Sequence, residues 1–207
     1  GLRRSAARLT YEQAQRAADG NPDATTGPLM DRVVGPLYAA YRPLAAARAR
    51  RQALELDLPE RKIELDPEGR VVRIATPQRL DSHRLIEEFM ILANVAAAEA
   101  LEALRQPCMY RIHEPPELGK LEALRPVLHE LGVALPTAGV RAGDFNRVLE
   151  RTKESPHKRL VHELILRTQS QAQYSPTNRG HFGLALRRYA HFTSPIRRYA
   201  DLLVHRA

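Results

Sequence analysis

The sequence predicts an α/β fold in which helices predominate over a small mixed sheet. Three observations carry that reading. Apolar residues recur at three-and-four spacing through most of the chain, most regularly from Asp81 to Leu104. Lys62 to Ile74 and Met109 to His113 instead show alternation or β-branched and aromatic residues. The final stretch, Ala190 to Arg206, reads as a strand, a Ser-Pro turn and a helix. With 207 residues, 43% of them apolar, the chain is long enough for one real core. It shows no internal repeat, low-complexity tract or long linker, so a single unit over residues 1–207 is the simplest division.

Thr10 caps a first helix, with Gln13 in the reciprocal capping position, and Gly20-Asn-Pro ends it. A loop rich in Thr, Gly and Pro runs to Pro28. Helical periodicity then extends from Leu29 to Leu54, kinked or divided by Pro36 and Pro43. Lys62-Ile-Glu-Leu-Asp-Pro-Glu-Gly-Arg-Val-Val-Arg-Ile74 is a hairpin turning at Pro-Glu-Gly. On the long helix that follows, Leu85, Phe89, Leu92, Ala93, Ala96, Ala100 and Leu104 form the expected buried face. Met109 to His113 is a short strand. Glu117 to Leu131 is a helix stopped by Gly132, and Ala142–Glu154 and His157–Gln171 are two more, parted by Ser155-Pro156. The strand–turn–helix unit closes the chain.

Charge narrows the partners. Thirty-two Lys and Arg against 24 Asp and Glu give a net charge of +8, which suits a polyanion. Nucleic acid leads. An anionic membrane is the rival, but no apolar run approaches spanning length and no signal-peptide pattern is visible. The single Cys108 excludes an intrachain disulfide, fits a reducing cytoplasm, and reads as a buried small residue. The chain begins at Gly1 without an initiator Met, so a piece of a larger protein is expected.

The residues that draw attention lie at the end. Arg197 and Arg198 fall in the expected first helical turn, where the free N–H groups normally favour acidic residues, so an anion held there would explain them. Thr193 or Ser194 is the expected cap, Pro195 fits the first helical position, and Asp201 lies four residues after Arg197, placed to pin it. The alternative is that both arginines pair with carboxylates elsewhere. On the long helix Glu88, Glu99 and Glu102 cluster as a solvated acidic face, while Glu87 and Asn94 align in an apolar sector. A carboxylate placed there needs an internal arginine or a ligand hydroxyl. The eight histidines include no zinc spacing, and His181, His191 and His205 read mainly as satisfied structural residues. Asp19, Asp23, Asp31, Asp57, Asp66, Asp81, Asp144 and Asp201 are scattered.

Thr193-Ser-Pro-Ile-Arg-Arg-Tyr199, following His181-Phe-Gly-Leu-Ala-Leu186, resembles the signature of the ribonuclease II/ribonuclease R (RNB) family. The resemblance extends to Ile86-Glu-Glu-Phe-Met-Ile-Leu-Ala-Asn94 and to Ala7-Arg-Leu-Thr-Tyr11, and so covers nearly the whole chain. It implies the C-terminal part of a catalytic domain that degrades single-stranded RNA from its 3′ end, releasing nucleoside 5′-monophosphates with Mg²⁺. Arg197 would contact the scissile phosphate, with Arg198 a weaker phosphate ligand. Glu87 would contact the terminal ribose, and Tyr11 would cooperate with it in preferring RNA to DNA, since only RNA offers a 2′-OH. Two departures stand out. Leu56 falls near a base-clamping phenylalanine of the ribonuclease II branch, and leucine lacks the π-face for stacking. The family's cluster of metal-binding aspartates lies upstream of the region matched, and a catalytic glutamate would fall beyond Ala207. No metal ligand is therefore assigned in this chain, and the chain alone is expected to be inactive. Two rival readings remain: a module that grips RNA 3′ ends without cutting, and a structural helical domain for an acidic protein partner.

Overall fold

The computed structural model describes residues 4–56, 62–75 and 78–207. They fall into two compact units, Gly1–Ala47 with Pro59–Met90, and Arg48–Leu58 with Ile91–Ala207.

In the first unit, α1 (Tyr11–Ala18) starts where the sequence places it. The Gln13 N–H donates to Thr10 Oγ1 at 3.2 Å and the Thr10 N–H donates to Gln13 Oε1 at 3.0 Å, which satisfies two donors the helix cannot. Gly20, at φ +90°, lets the chain turn away. Asp23 then organises a tight loop, its Oδ1 accepting from the Thr26 N–H at 2.8 Å and the Thr26 hydroxyl at 2.9 Å. The next helical stretch is layered: a 3₁₀ turn (Gly27–Leu29), a π turn (Met30–Val34), then α2 (Gly35–Arg51). Pro36 thus sits at a helix start, where its missing N–H costs little, whereas Pro43 lies inside α2 without dividing it.

Strands β1 (Lys62–Leu65) and β2 (Val71–Ala75) pair antiparallel, with Ile63 opposite Ile74. The Asp66 carboxylate accepts from the N–H groups of Glu68 and Arg70, which sets the Pro-Glu-Gly turn. Alternation suggested one buried face. Ile63, Leu65, Val71, Val72 and Ile74 are all more than half exposed.

Helix α3 (Asp81–Ala103) has the expected length but a different buried face. Ser82, Leu85, Glu88, Ile91, Asn94, Ala98 and Leu101 are buried, while Leu92 and Leu104 are 48% and 68% exposed. Alanine and leucine occur almost all round this helix, so the wheel alone had no sharp apolar edge to detect. Glu88, expected in solvent, is buried at 4%; Glu99 is exposed as expected.

The second unit is built around β3 (Tyr110–Ile112), paired antiparallel with β4 (Gln173–Ser175). Single bridges extend it: Tyr110 to Ala190 antiparallel and His113 to His181 parallel, so the pairing is mixed. His181 to Leu186 is not the regular strand the motif suggested. It is a tight loop closed on itself, the His181 N–H donating to the Leu186 carbonyl at 2.8 Å and the Leu186 N–H returning to His181 at 3.1 Å. Helices α4 (Leu118–Glu130), α5 (Ala142–Arg151) and α6 (Lys158–Thr168) enclose the main core, in which Leu128, Phe145, Val161 and Ile165 are fully buried. A smaller cluster joins Leu101, Tyr110, Ile112, Ala190 and Val204. Cys108 belongs to it, and burial pushes its thiol up to about 11, so it is an inert packing residue. The chain ends in α7 (Tyr199–Arg206).

Candidate functional site

The chemistry of the last stretch rests on where α7 begins. The helix starts at Tyr199, with Arg198 at its N-cap, so both arginines precede it rather than lying in its first turn. Neither Thr193 nor Ser194 caps α7, and Pro195 lies in the preceding turn. That turn is closed by the N–H groups of Arg197 and Arg198 donating to the Ser194 carbonyl at 3.3 and 3.2 Å. Asp201 reaches back one turn. It is fully buried, accepts from the Ser194 N–H at 2.7 Å, and takes both Nε and Nη2 of Arg198 at 2.7 Å. The expected pairing of Asp201 with Arg197 is therefore corrected: the fork of Arg198 fits the carboxylate in parallel, three residues away. Burial pushes the Asp201 carboxyl up, but the Arg198 guanidinium and the Ser194 N–H outweigh it and hold the group below the ordinary range. Arg198 is correspondingly raised, chiefly by its bond to Asp201.

Arg197 is left facing outward. Among the described residues its guanidinium reaches the Ser194 hydroxyl alone, at 3.5 Å, in an exposed turn. A cation held at its backbone by a fixed turn and free at its tip is a suitable phosphate ligand. Near Arg198, Tyr174 donates to or accepts from His191 Nδ1 at 2.7 Å, and the Arg111 guanidinium lies 4.9 Å over the Tyr174 ring. The rings of His191, Tyr189, His181, His113 and Phe182 continue inward edge to face. Burial, reinforced by nearby arginines, pushes His191 down to about 4 and His181 down to about 3, so both are neutral packing residues near pH 7. His205 stacks on Phe192 and bonds its carbonyl at 2.9 Å.

Tyr11 and Glu87 both belong to the first unit. Tyr11, the first residue of α1, is 43% exposed and its ring stacks on His83. Glu87, on α3, forms an ion pair with Arg79, and its side chain remains 33% exposed. Asn94 is deeply buried in the second unit, donating to the Tyr189 hydroxyl and accepting from the Phe192 N–H, both at 2.9 Å. It orients the approach to the Ser-Pro turn.

A basic cleft was not foreseen. It encloses about 730 Å³ in the second unit and is lined by Arg50, Arg51, Arg141, Arg179 and Arg187, with no carboxylate on its walls among the described residues. Arg179 pairs with Glu114 at 2.7 Å, and Arg51 donates to the Leu184 carbonyl at 3.0 Å. The cleft arginines come from separate segments, and no spacing rule could have joined them. Leu56 packs against the main core as a half-buried aliphatic residue and offers no aromatic face.

An outward arginine at the Ser-Pro turn, a tyrosine stacked on a histidine, and a cleft lined by arginines are features that suit a polyanionic ligand. The RNB domain family matches residues 1–207, and the chain belongs to that family. Ribonuclease R of Escherichia coli (strain K12) is 42% identical over 206 residues, covering 98% of this chain and 25% of that protein. The structure of Mycoplasma genitalium RNase R in complex with ribose methylated single-stranded RNA superposes with a TM-score of 0.85 at 27% identity, over 95% of this chain and 31% of that one. Yeast Ssd1, a pseudonuclease, matches 62% of this chain and 16% of its own with a TM-score of 0.54 at 27% identity. This chain spans about a quarter of the length of the curated relatives it matches.

Exoribonucleases of this family imply a divalent metal ion. Among the described residues no three His, Cys, Asp or Glu side chains are grouped to hold one, and Asp57 lies outside them. The described residues do not fit the ion. Among the described residues, too, no helix is long and apolar enough to cross a membrane.

Proposed function

We propose that this chain is the RNA-holding part of a 3′-to-5′ exoribonuclease that degrades single-stranded RNA to nucleoside 5′-monophosphates with Mg²⁺, in the cytoplasm. The observation that carries the reading is the asymmetry at the Ser-Pro turn: Asp201 holds Arg198 and leaves Arg197 outward, within the motif the RNB family shares. In the reaction Arg197 stabilises charge on the scissile phosphate, and Arg198 supports its turn and is the weaker phosphate ligand. Glu87, accepting from the 2′-OH of the terminal ribose, and Tyr11 distinguish RNA from DNA. The arginine cleft adds sequence-independent attraction for phosphates. Metal ligands come from other sequence of the same protein.

The test uses this chain with labelled single-stranded RNA. Binding that weakens steeply with salt, is reduced at least tenfold by Arg197→Ala, and is accompanied by no Mg²⁺-dependent ladder is the expected result. An EDTA-sensitive ladder would show that the chain carries its own metal site. Salt-insensitive behaviour with no RNA binding would leave the protein-partner reading in place. A second reading, an RNA-gripping module without chemistry, is favoured by the likeness to the Ssd1 pseudonuclease and by the lack of a metal-ligand group among the described residues.

A further inference from the structure

Tyr11 is a weak reader of a sugar unless something holds it. It opens α1, its ring is 43% exposed, and a tyrosine in that setting ordinarily samples several rotamers. Its ring, however, lies flat against His83, with centroids 4.1 Å apart and planes 22° from parallel. His83 is in turn fixed. Its Nδ1 accepts the Leu80 N–H at 3.2 Å, one of the donors left over at the start of α3. That bond leaves the proton of the neutral ring on Nε2 and locks the ring plane against the helix start. His83 also stands one helical turn before Glu87, on the same face of α3. Arg79, just upstream of the helix, holds the Glu87 carboxylate from the other side.

Thus one residue ties together two parts separated by some seventy positions of sequence. We propose that His83 is a positioning residue for RNA recognition: its backbone-pinned ring carries the Tyr11 ring to the side of Glu87 where the terminal ribose is read. The inference rests on the sugar-reading role of Tyr11 and Glu87. The stack itself supplies the energy, since a paired aromatic contact biases the rotamer by a factor of about three to ten. Discrimination between RNA and DNA should fall by that factor when the ring is lost, with little change in the affinity for phosphate.

Two substitutions separate the ring from the helix-start bond. His83→Phe keeps an aromatic face and gives up the Leu80 acceptor, whereas His83→Asn keeps an acceptor and gives up the face. The experiment compares dissociation constants of this chain for a single-stranded RNA and for the same strand bearing one 2′-deoxy nucleotide at its 3′ end, with Glu87→Ala as the reference. Wild type should prefer the all-RNA strand, Glu87→Ala should lose the preference, His83→Asn should lose about three- to tenfold of it, and His83→Phe, which keeps the face without the pin, should lose less of it than His83→Asn. A Glu87-dependent preference that His83→Asn leaves intact overturns the role of His83 alone. A wild type indifferent to the 3′ sugar overturns the sugar-reading role itself, and this inference with it. If His83→Asn does not fold, as judged by circular dichroism, His83→Phe decides: a preference above that of Glu87→Ala supports the ring, and loss matching Glu87→Ala overturns it.

Discussion

An arginine whose guanidinium is committed to a buried carboxylate cannot also be the first to meet a phosphate, and that separates two adjacent, chemically identical residues. Asp201 is fully buried and Arg198 is its main charge partner, so Arg198→Ala leaves a buried ion with only the Ser194 N–H to hold it among its described partners. The expected cost is about 3 kcal/mol of unfolding free energy, read from urea denaturation. Arg197→Ala should change stability by less than about 0.5 kcal/mol, because its side chain is exposed, while RNA affinity falls. Equal destabilisation by the two would contradict the assignment. Sequence spacing suggested the opposite pairing, because the four-residue rule presumes that both partners are helical, and Arg197 is not. Glu88 misled for a similar reason: a wheel reports direction around a helix, not what other segments bring to meet it. Thr10 and Gln13 were legible, since a capping box is complete within four residues.

Elements show the same divide between local and assembled signals at their ends. Helix α1 and helix α4 finish with glycines at positive φ, Gly20 and Gly132, both visible in the sequence. Helix α2 instead finishes with Gln52 at φ +56°, and α3 is followed by Arg105 at the same angle. Each does a glycine's work with a side chain attached, which no pattern announces. Gln52→Gly should therefore stabilise the protein by about 0.5–1 kcal/mol, the relief of left-handed strain less the added freedom of the unfolded chain. A second observation makes the claim sharper. A Cβ placed on Gly143, in the first turn of α5, would lie 2.4 Å from Gln52 Oε1 and 3.1 Å from Gln52 Cβ. Gly143→Ala pushes the flexible Gln52 amide aside and should cost about 1 kcal/mol in the wild type and little in the Gln52→Gly background, a coupling of that size in a double-mutant cycle. Additive effects would show that the two positions do not share the space.

At the scale of the whole molecule, a basic composition announced a polyanion but not where it is held, because the arginine cleft draws on segments far apart in sequence. The same distant assembly fixes the response to acid. His113, His181 and His191 come from separate segments and are all held below their ordinary range, first by burial and then by cationic or imidazole neighbours: Arg111 for all three, His113 and His191 around His181, and Arg198 and Arg197 facing His191, whose downward shift Asp201 partly offsets. The folded protein keeps these rings neutral while the unfolded chain protonates them near pH 6.5. Between about pH 6.5 and 4 the unfolded state therefore binds more protons, and stability must fall as pH is lowered through that window. Asp201 adds to the loss further down, because its depressed carboxyl gives stability that disappears as pH drops through its folded-state value. Urea midpoints measured across pH 7 to 4 should decline steadily. His181→Gln should flatten the decline by up to about 1.4 kcal/mol per pH unit, the effect of one proton. A wild-type midpoint constant from pH 6.5 to 4.5 would mean that the three imidazoles titrate alike in the folded and unfolded chains, and that the ring row beside the Ser-Pro turn is open to water.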